Sequence, residues 1–215
     1  MNPYYCSWRS CLSSWNQDNQ YLEAGQSKTK KIRIRDAWLE KYGIEKITEI
    51  FLTIEAADSN YRYLGTQMMA VYPFGEDEAE YYVYEPGENE VLVAETENIR
   101  VYAGVTGLSY FEVTFYVENL SGDVARFNCD TADANNGRMD LYFNQYIAPG
   151  KTGYVDVLIF DDDLSGAGVS MEDVEKLSFL CKFIKHTEGL NAYGAYINED
   201  IFSQNIDIYV PGKEK

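Results

Sequence analysis

The feature that most constrains this chain is that it repeats itself. The phrase NQYLEAG at Asn19 to Gly25 returns as NQYIAPG at Asn144 to Gly150, and adding 125 to each number keeps the two segments aligned through Gly43. In that frame Asn19, Gln20, Tyr21, Gly25, Ile34, Asp36, Leu39 and Gly43 meet identical residues at Asn144, Gln145, Tyr146, Gly150, Ile159, Asp161, Leu164 and Gly168. Beyond Gly43 the offset becomes 127, pairing Ile47 with Val174, Ile50 with Leu177 and Leu52 with Phe179. A two-residue insertion belongs in a loop, where added length costs little. One structural unit is used twice.

The physics of that unit can be read directly. Gly25 or Gly150 turns the chain, and KIRIR (31–35) or YVDVLIF (154–160) then alternates polar and apolar residues as a half-buried strand does. Asp36 and Asp161 stand where a helix N-cap belongs, ahead of a short helical turn such as AWLEKY. Gly43 and Gly168 stand where a left-handed residue closes that turn, and a further strand follows as EIFLTIEA or EKLSFLCKFI.

The second copy has more strands. EVLVAETENIRVYAGVTG, SYFEVTFYVENLSG and VARFNCD precede the repeated phrase, and QNIDIYV (204–210) closes the set. Short strands separated by polar turns predict a β-sandwich with Greek-key-like connections. Nineteen Tyr and ten Phe agree, because planar side chains pack well on a pleated surface.

The first copy is shorter, since subtracting 125 from Arg126 already reaches Met1. The expected organisation is a partial unit over 1–73, an acidic linker over 74–80 (FGEDEAE) and a complete unit over 81–215. A sandwich lacking strands exposes an edge and an apolar face, which invites strand addition or self-association. The first unit is expected to pack on the second or on another copy.

Charge and cysteine usage narrow the function. Thirty-five acidic against eighteen basic residues give −17, which repels phosphate backbones and anionic headgroups and argues against nucleic-acid or membrane-surface binding. No apolar run approaches the roughly 20 residues that span a bilayer, and residues 1–21 lack the basic start and apolar stretch of a signal peptide. The cysteines, Cys6, Cys11, Cys129 and Cys181, contain no CxxC, and His186 is the sole histidine, so neither a zinc site nor another cofactor is expected. Cys6 with Cys11 and Cys129 with Cys181 are conceivable bridges, weighed against buried free thiols.

The segments NLSG (119–122), APGK (148–151) and DDDLSGAGVSMEDVE (161–175) resemble uncharacterised immunoglobulin-like repeat modules of Gram-positive bacterial cell-envelope proteins, often found with a zinc ribbon and a transmembrane helix. The resemblance spans most of 90–210 and, truncated, 19–72. It implies an all-β fold of tandem immunoglobulin-like β-sandwich units with short helical turns, the first truncated at its N-terminus. It also implies an extracellular or cell-envelope location, and it carries no catalytic residue across.

Catalytic chemistries find little to work with. His186 in KFIKHTEG has no GxSxG motif to serve, so it reads as a loop histidine. FDDDLSG lacks the acid spacing of a calcium loop, and capping explains Asp161 better, leaving Asp162 and Asp163 as weak cation candidates. The pairs Glu88/Glu90 and Asp130/Asp133 read as solvated surface rather than glycosidase carboxylates. Lys28, Lys30, Lys31, Arg33 and Arg35 read as the solvent face of a strand.

The aromatics outside the repeat core, Trp8, Trp15, Tyr82 and Tyr84, are the candidate ligand-binding residues, since exposed rings stack on sugar faces; ordinary packing is the competing reading. The expected function is a non-enzymatic spacer or interaction module that engages a protein partner or itself, with a carbohydrate-binding module as the alternative.

Overall fold

The computed structural model describes residues 4–10, 20–22, 26–27, 29, 36–41, 44–58, 63–79, 87–107, 109–190 and 196–213, with the backbone alone for parts of several strands. The protein is all-β with short helices, and it divides into two compact units, Met1–Val83 and Tyr84–Lys215.

The second unit is a two-layer antiparallel sandwich. Strands β5 (Glu90–Glu95), β6 (Ile99–Thr106) and β7 (Phe111–Asn119) form a meander, and β11 (Thr152–Ile159) joins beside β7 to give the order β11-β7-β6-β5. The facing sheet takes β8 (Ala125–Ala134), β10 (Phe143–Ile147), β12 (Lys176–Leu190) and β13 (Tyr196–Tyr209) in the order β10-β8-β12-β13, with β9 (Gly137–Met139) hairpinned on β8. Alternation in the sequence builds this core: Phe111, Val113, Phe115 and Val117 of β7 are buried, while Glu112, Thr114 and Glu118 between them are partly exposed. The Phe115 ring lies 5.2 Å from Phe179, 5.3 Å from Phe143 and 5.8 Å from Phe127, so one residue of the first sheet meets three of the second.

The last strands run longer than their alternation announces. β12 continues through His186, which pairs with Asn198 of β13 inside the strand ladder rather than sitting in a loop. Two register shifts in this hairpin break the period-two pattern that would otherwise have revealed it.

Helix α2 (Asp161–Ala167) connects the two sheets, and its start corrects the expected cap. The N-cap is Phe160, in extended conformation at the end of β11, and Asp161 is the first helical residue. The capping carboxylate is that of Asp163, whose Oδ2 accepts the Phe160 N–H at 2.8 Å. A run of three aspartates does not by itself fix which one occupies the turn. Leu164, fully buried, anchors the helix, and Gly168 ends it at φ 73, ψ 25, the left-handed conformation glycine adopts without strain. In the first unit Asp36 likewise opens α1 (Asp36–Lys41) as its first residue, while Gly43 lies outside the described residues.

The described strands of the first unit are β1 (Tyr4–Ser10), β2 (Gln20–Leu22), β3 (Ile50–Ala57) and β4 (Tyr63–Val71), one antiparallel sheet in the order β2-β1-β3-β4. This sheet matches β10-β8-β12-β13 in strand order and at several pairs of each ladder, without the register shift that β8 and β12 show between Leu180 and Cys181. Cys6 pairs with Gln20 as Phe127 pairs with Gln145, and Tyr5 with Tyr21 as Arg126 with Tyr146. Ile50 pairs with Val71 as Leu177 with Ile208, Leu52 with Met69 as Phe179 with Ile206, and Ile54 with Gln67 as Cys181 with Gln204. Residues 74–79 are folded within this unit: Glu76–Glu78 make a 3-10 turn, the Gly75 N–H donates to the Tyr72 carbonyl, and the Lys46 amine lies 4.5 Å above the Phe74 ring and 3.7 Å from Glu78.

Candidate functional site

The register equivalence singles out an exposed apolar pair on the first unit. In the second unit Ile206 and Ile208 of β13 face the opposite sheet, where β5 and β6 pack on β13, and they are 1% and 5% exposed. Their counterparts on β4, Met69 and Val71, are 42% and 40% exposed. The neighbouring positions on β3 follow suit, with Ile50 and Leu52 half-buried where Leu177 and Phe179 are fully buried. Among the described residues the first unit has no counterpart of β5 and β6. Among the described residues the same sheet is built twice and covered by a second sheet once.

Charge sharpens the contrast. The first unit carries nine basic and twelve acidic residues, a net −3, and the second nine basic and 23 acidic, a net −14. β4 stands at the edge of its sheet without a single charged residue, whereas the edge strands β5 and β13 carry Glu90 and Glu95, and Glu199, Asp200 and Asp207. Charged edges discourage pairing with another chain, and an apolar uncharged edge does the reverse.

The aromatic side chains singled out from the sequence lie outside what is described. Trp8 lies in β1, where only the backbone is described, and Trp15, Tyr82, Tyr84 and the basic stretch at 28, 30–31, 33 and 35 lie outside the described residues. The exposed aromatic pair that is described is Tyr110 with Phe160, 5.6 Å apart and inclined at 38°. Two rings so inclined do not form one flat stacking platform. On the outer face of the β11-β7-β6-β5 sheet, Tyr102, Tyr116 and Tyr154 stand side by side in register, 6.3 and 5.1 Å apart, but the central Tyr116 is buried.

The polar candidates are engaged in structure. Asp130 pairs with Lys182 at 2.6 Å, and the Glu90 carboxylate accepts the Gly87 N–H at 2.8 Å. Among the described residues no group of three or more His, Cys, Asp or Glu side chains is placed to hold a metal ion. Cys129 and Cys181 are free, fully buried thiols facing each other across β8 and β12. Burial pushes the Cys181 thiol well above its ordinary range, and the adjoining Cys129 adds to the shift. No described helix is long and apolar enough to cross a membrane.

Two residues that the sequence reading passed over hold the second unit together. Asn119, 1% exposed, donates from Nδ2 to the carbonyls of Asp123 and Ile147 and accepts from the Ser121 N–H and hydroxyl. Asn135, at φ 47, opens the β8–β9 turn, accepts the Glu175 and Lys176 N–H groups and donates to the Asp173 carbonyl. The sequence signal for the turn was Asn135-Asn136-Gly137, since two residues with φ above zero are what a tight hairpin requires. No protein-family model matches the chain, and comparison with curated proteins finds no relative.

Proposed function

We propose that the protein is a non-enzymatic interaction and spacer module built from immunoglobulin-like units, the first of which, one sheet among its described residues, offers its core-side face to a protein partner. The observation that carries this reading is the exposure of Met69 and Val71 at positions whose counterparts, Ile206 and Ile208, belong to a sandwich core. An apolar face on a rigid sheet is pre-organised for docking, because little conformational entropy remains to be lost.

Strand order supports the immunoglobulin-like part. With β5 set aside, β6-β7-β11 follow the order A-B-E of such a sandwich and β8-β12-β13 the order C-F-G, with β10 on the outer side of β8 as C′ lies beside C. The matching sheet of the first unit extends the comparison to a tandem arrangement. The envelope or extracellular setting rests on the resemblance of the NLSG, APGK and DDDLSGAGVSMEDVE segments.

Amide hydrogen exchange on the dilute chain tests the reading. β4 is expected to exchange markedly faster than β13, because an uncovered strand opens locally at lower free energy. Equal protection of the two strands in a monomeric sample would mean that the face is already covered within the chain and would remove the basis for the proposal.

The carbohydrate-binding alternative rests on Trp8, Trp15, Tyr82 and Tyr84, the aromatics outside the repeat core. A glycan array probed with the intact chain decides it: saturable binding lost in Tyr82→Ala or Tyr84→Ala favours the alternative, and an array without binding removes it.

A further inference from the structure

We infer that Cys129 and Cys181 form a folding-gated redox pair: a disulfide closes between them when the second unit folds under oxidising conditions, they stay thiols when it folds under reducing ones, and burial then preserves whichever state was set.

The strand register places the two residues directly opposite each other on β8 and β12. Opposed residues of an antiparallel pair have Cα atoms about 4.5 or 5.5 Å apart. A disulfide spans about 4.4–6.8 Å between Cα atoms, so the backbone is already set for the bond. The two thiols are hydrogen-bonded to each other, and the Cys129 thiol also lies 3.0 Å from the Thr131 carbonyl. Immediately beside the pair the ladder slips by one residue, Leu180 facing Thr131 and Cys181 facing Cys129 with Asp130 left over. Such a bulge lets the local twist adjust as the sulfurs draw together.

The surroundings explain why the state is fixed at folding. The other inward pairs of this ladder are Ala134 with Leu177, Ala132 with Phe179 and Phe127 with Phe183, all of them fully buried like the cysteines themselves. Neither oxidant nor reductant reaches sulfur through that packing, and a buried protonated thiol is not the nucleophilic thiolate that exchange requires. Exchange therefore waits until β8 and β12 part. In the first unit the corresponding pair is Trp8 with Ile54, so this bond fastens the second unit alone.

Closure needs a two-electron acceptor, and a low-molecular-weight disulfide such as oxidised glutathione supplies it. One cysteine loses its proton and attacks the glutathione disulfide, breaking that S–S bond and releasing one glutathione. The other cysteine loses its proton and attacks the resulting mixed disulfide, forming the Cys129–Cys181 bond and releasing the second glutathione. Two protein thiols are oxidised and two glutathione thiols are formed. The bond ties residues 52 positions apart, which restricts the unfolded chain and stabilises the folded one.

Refolding the urea-denatured full chain in oxidised or in reduced glutathione tests this. In the oxidised sample, trypsin without reductant is expected to release residues 127–138 linked to residues 177–182, at a mass lower than the two peptides by about 2 Da for the lost thiol hydrogens. Its thermal midpoint is expected to exceed that of the reduced sample by on the order of 10 °C. Exchanging the buffers after folding is expected to leave each state in place on the order of a hundredfold longer than in urea.

Cys6→Ser with Cys11→Ser is expected to yield the same linked peptide, and Cys129→Ala with Cys181→Ala to abolish the difference in midpoint. Glutathione adducts or links to Cys6 or Cys11 in place of the Cys129–Cys181 bond overturn the pairing. A midpoint unchanged or lowered by closure overturns the stabilising role, and interconversion in the folded chain as fast as in urea overturns the gating by folding.

Discussion

The side-chain amide of Asn119, at the end of β7, donates to the carbonyl of Ile147, at the end of β10, across 2.9 Å of buried space. With the backbone bonds from Gly150 N–H to Asn119 O and from Asn119 N–H to Lys151 O, it fastens the NLSG segment to the APGK segment. Replacing it by alanine strands several buried backbone partners at once. Asn119→Ala is expected to lower stability by about 2–3 kcal/mol, read as a fall in the urea midpoint at constant slope. A loss under about 0.5 kcal/mol would mean that water takes the amide's place.

The paired thiols of β8 and β12 give a second expectation. Cys129 and Cys181 are fully buried, and burial holds the Cys181 thiol in its unreactive protonated form. Alkylation of both by iodoacetamide at pH 8 is expected to follow global unfolding, with native labelling slower than labelling in denaturant by several orders of magnitude. Peptide-resolved mass spectrometry measures it. Rapid native labelling of Cys181 would show that β12 opens locally.

Asp207 gives a pH dependence of defined sign. The Ser178 hydroxyl donates to its Oδ1 at 2.6 Å and the Lys176 amine stands 3.2 Å from Oδ2, and these hold the carboxyl below its usual range. A depressed carboxyl stabilises the fold above its unfolded value of about 3.9. That contribution is lost as pH falls through the lower folded value. Asp207→Asn is expected to cost about 0.5 kcal/mol at pH 7, a small figure because the carboxylate is 42% exposed and screened. The difference from the parent protein should close as the medium is acidified below pH 3.9, and a gap that persists there would assign the effect to packing.

Much of the architecture was legible because it rests on periodicity. The alternation in Ile99–Thr106 and Phe111–Asn119 places the same residues inward in sequence and in space. Gln20 and Gln145, related by the 125-residue frame, pair with Cys6 and Phe127, which are 121 apart, so the equivalence continues in space where the sequence frame has slipped. Features that depend on a single residue's geometry were less legible. The cap fell to Asp163 through Phe160, because helix phase depends on where β11 ends, and the roles of Asn119 and Asn135 depend on contacts up to 41 residues away. The exposure of Met69 and Val71 at core-equivalent positions became visible only through the register of β3 with β4.

The duplicated register also makes the molecule its own reference standard. A substitution at Met69 and the same substitution at Ile206 alter one strand-pairing context twice, once at a position 1% exposed beneath an opposing sheet and once at a position 42% exposed. The difference between the two losses of stability isolates the contribution of burial at that position, in one chain and under one set of solution conditions, and adding any partner that docks on the first unit should shrink that difference toward zero.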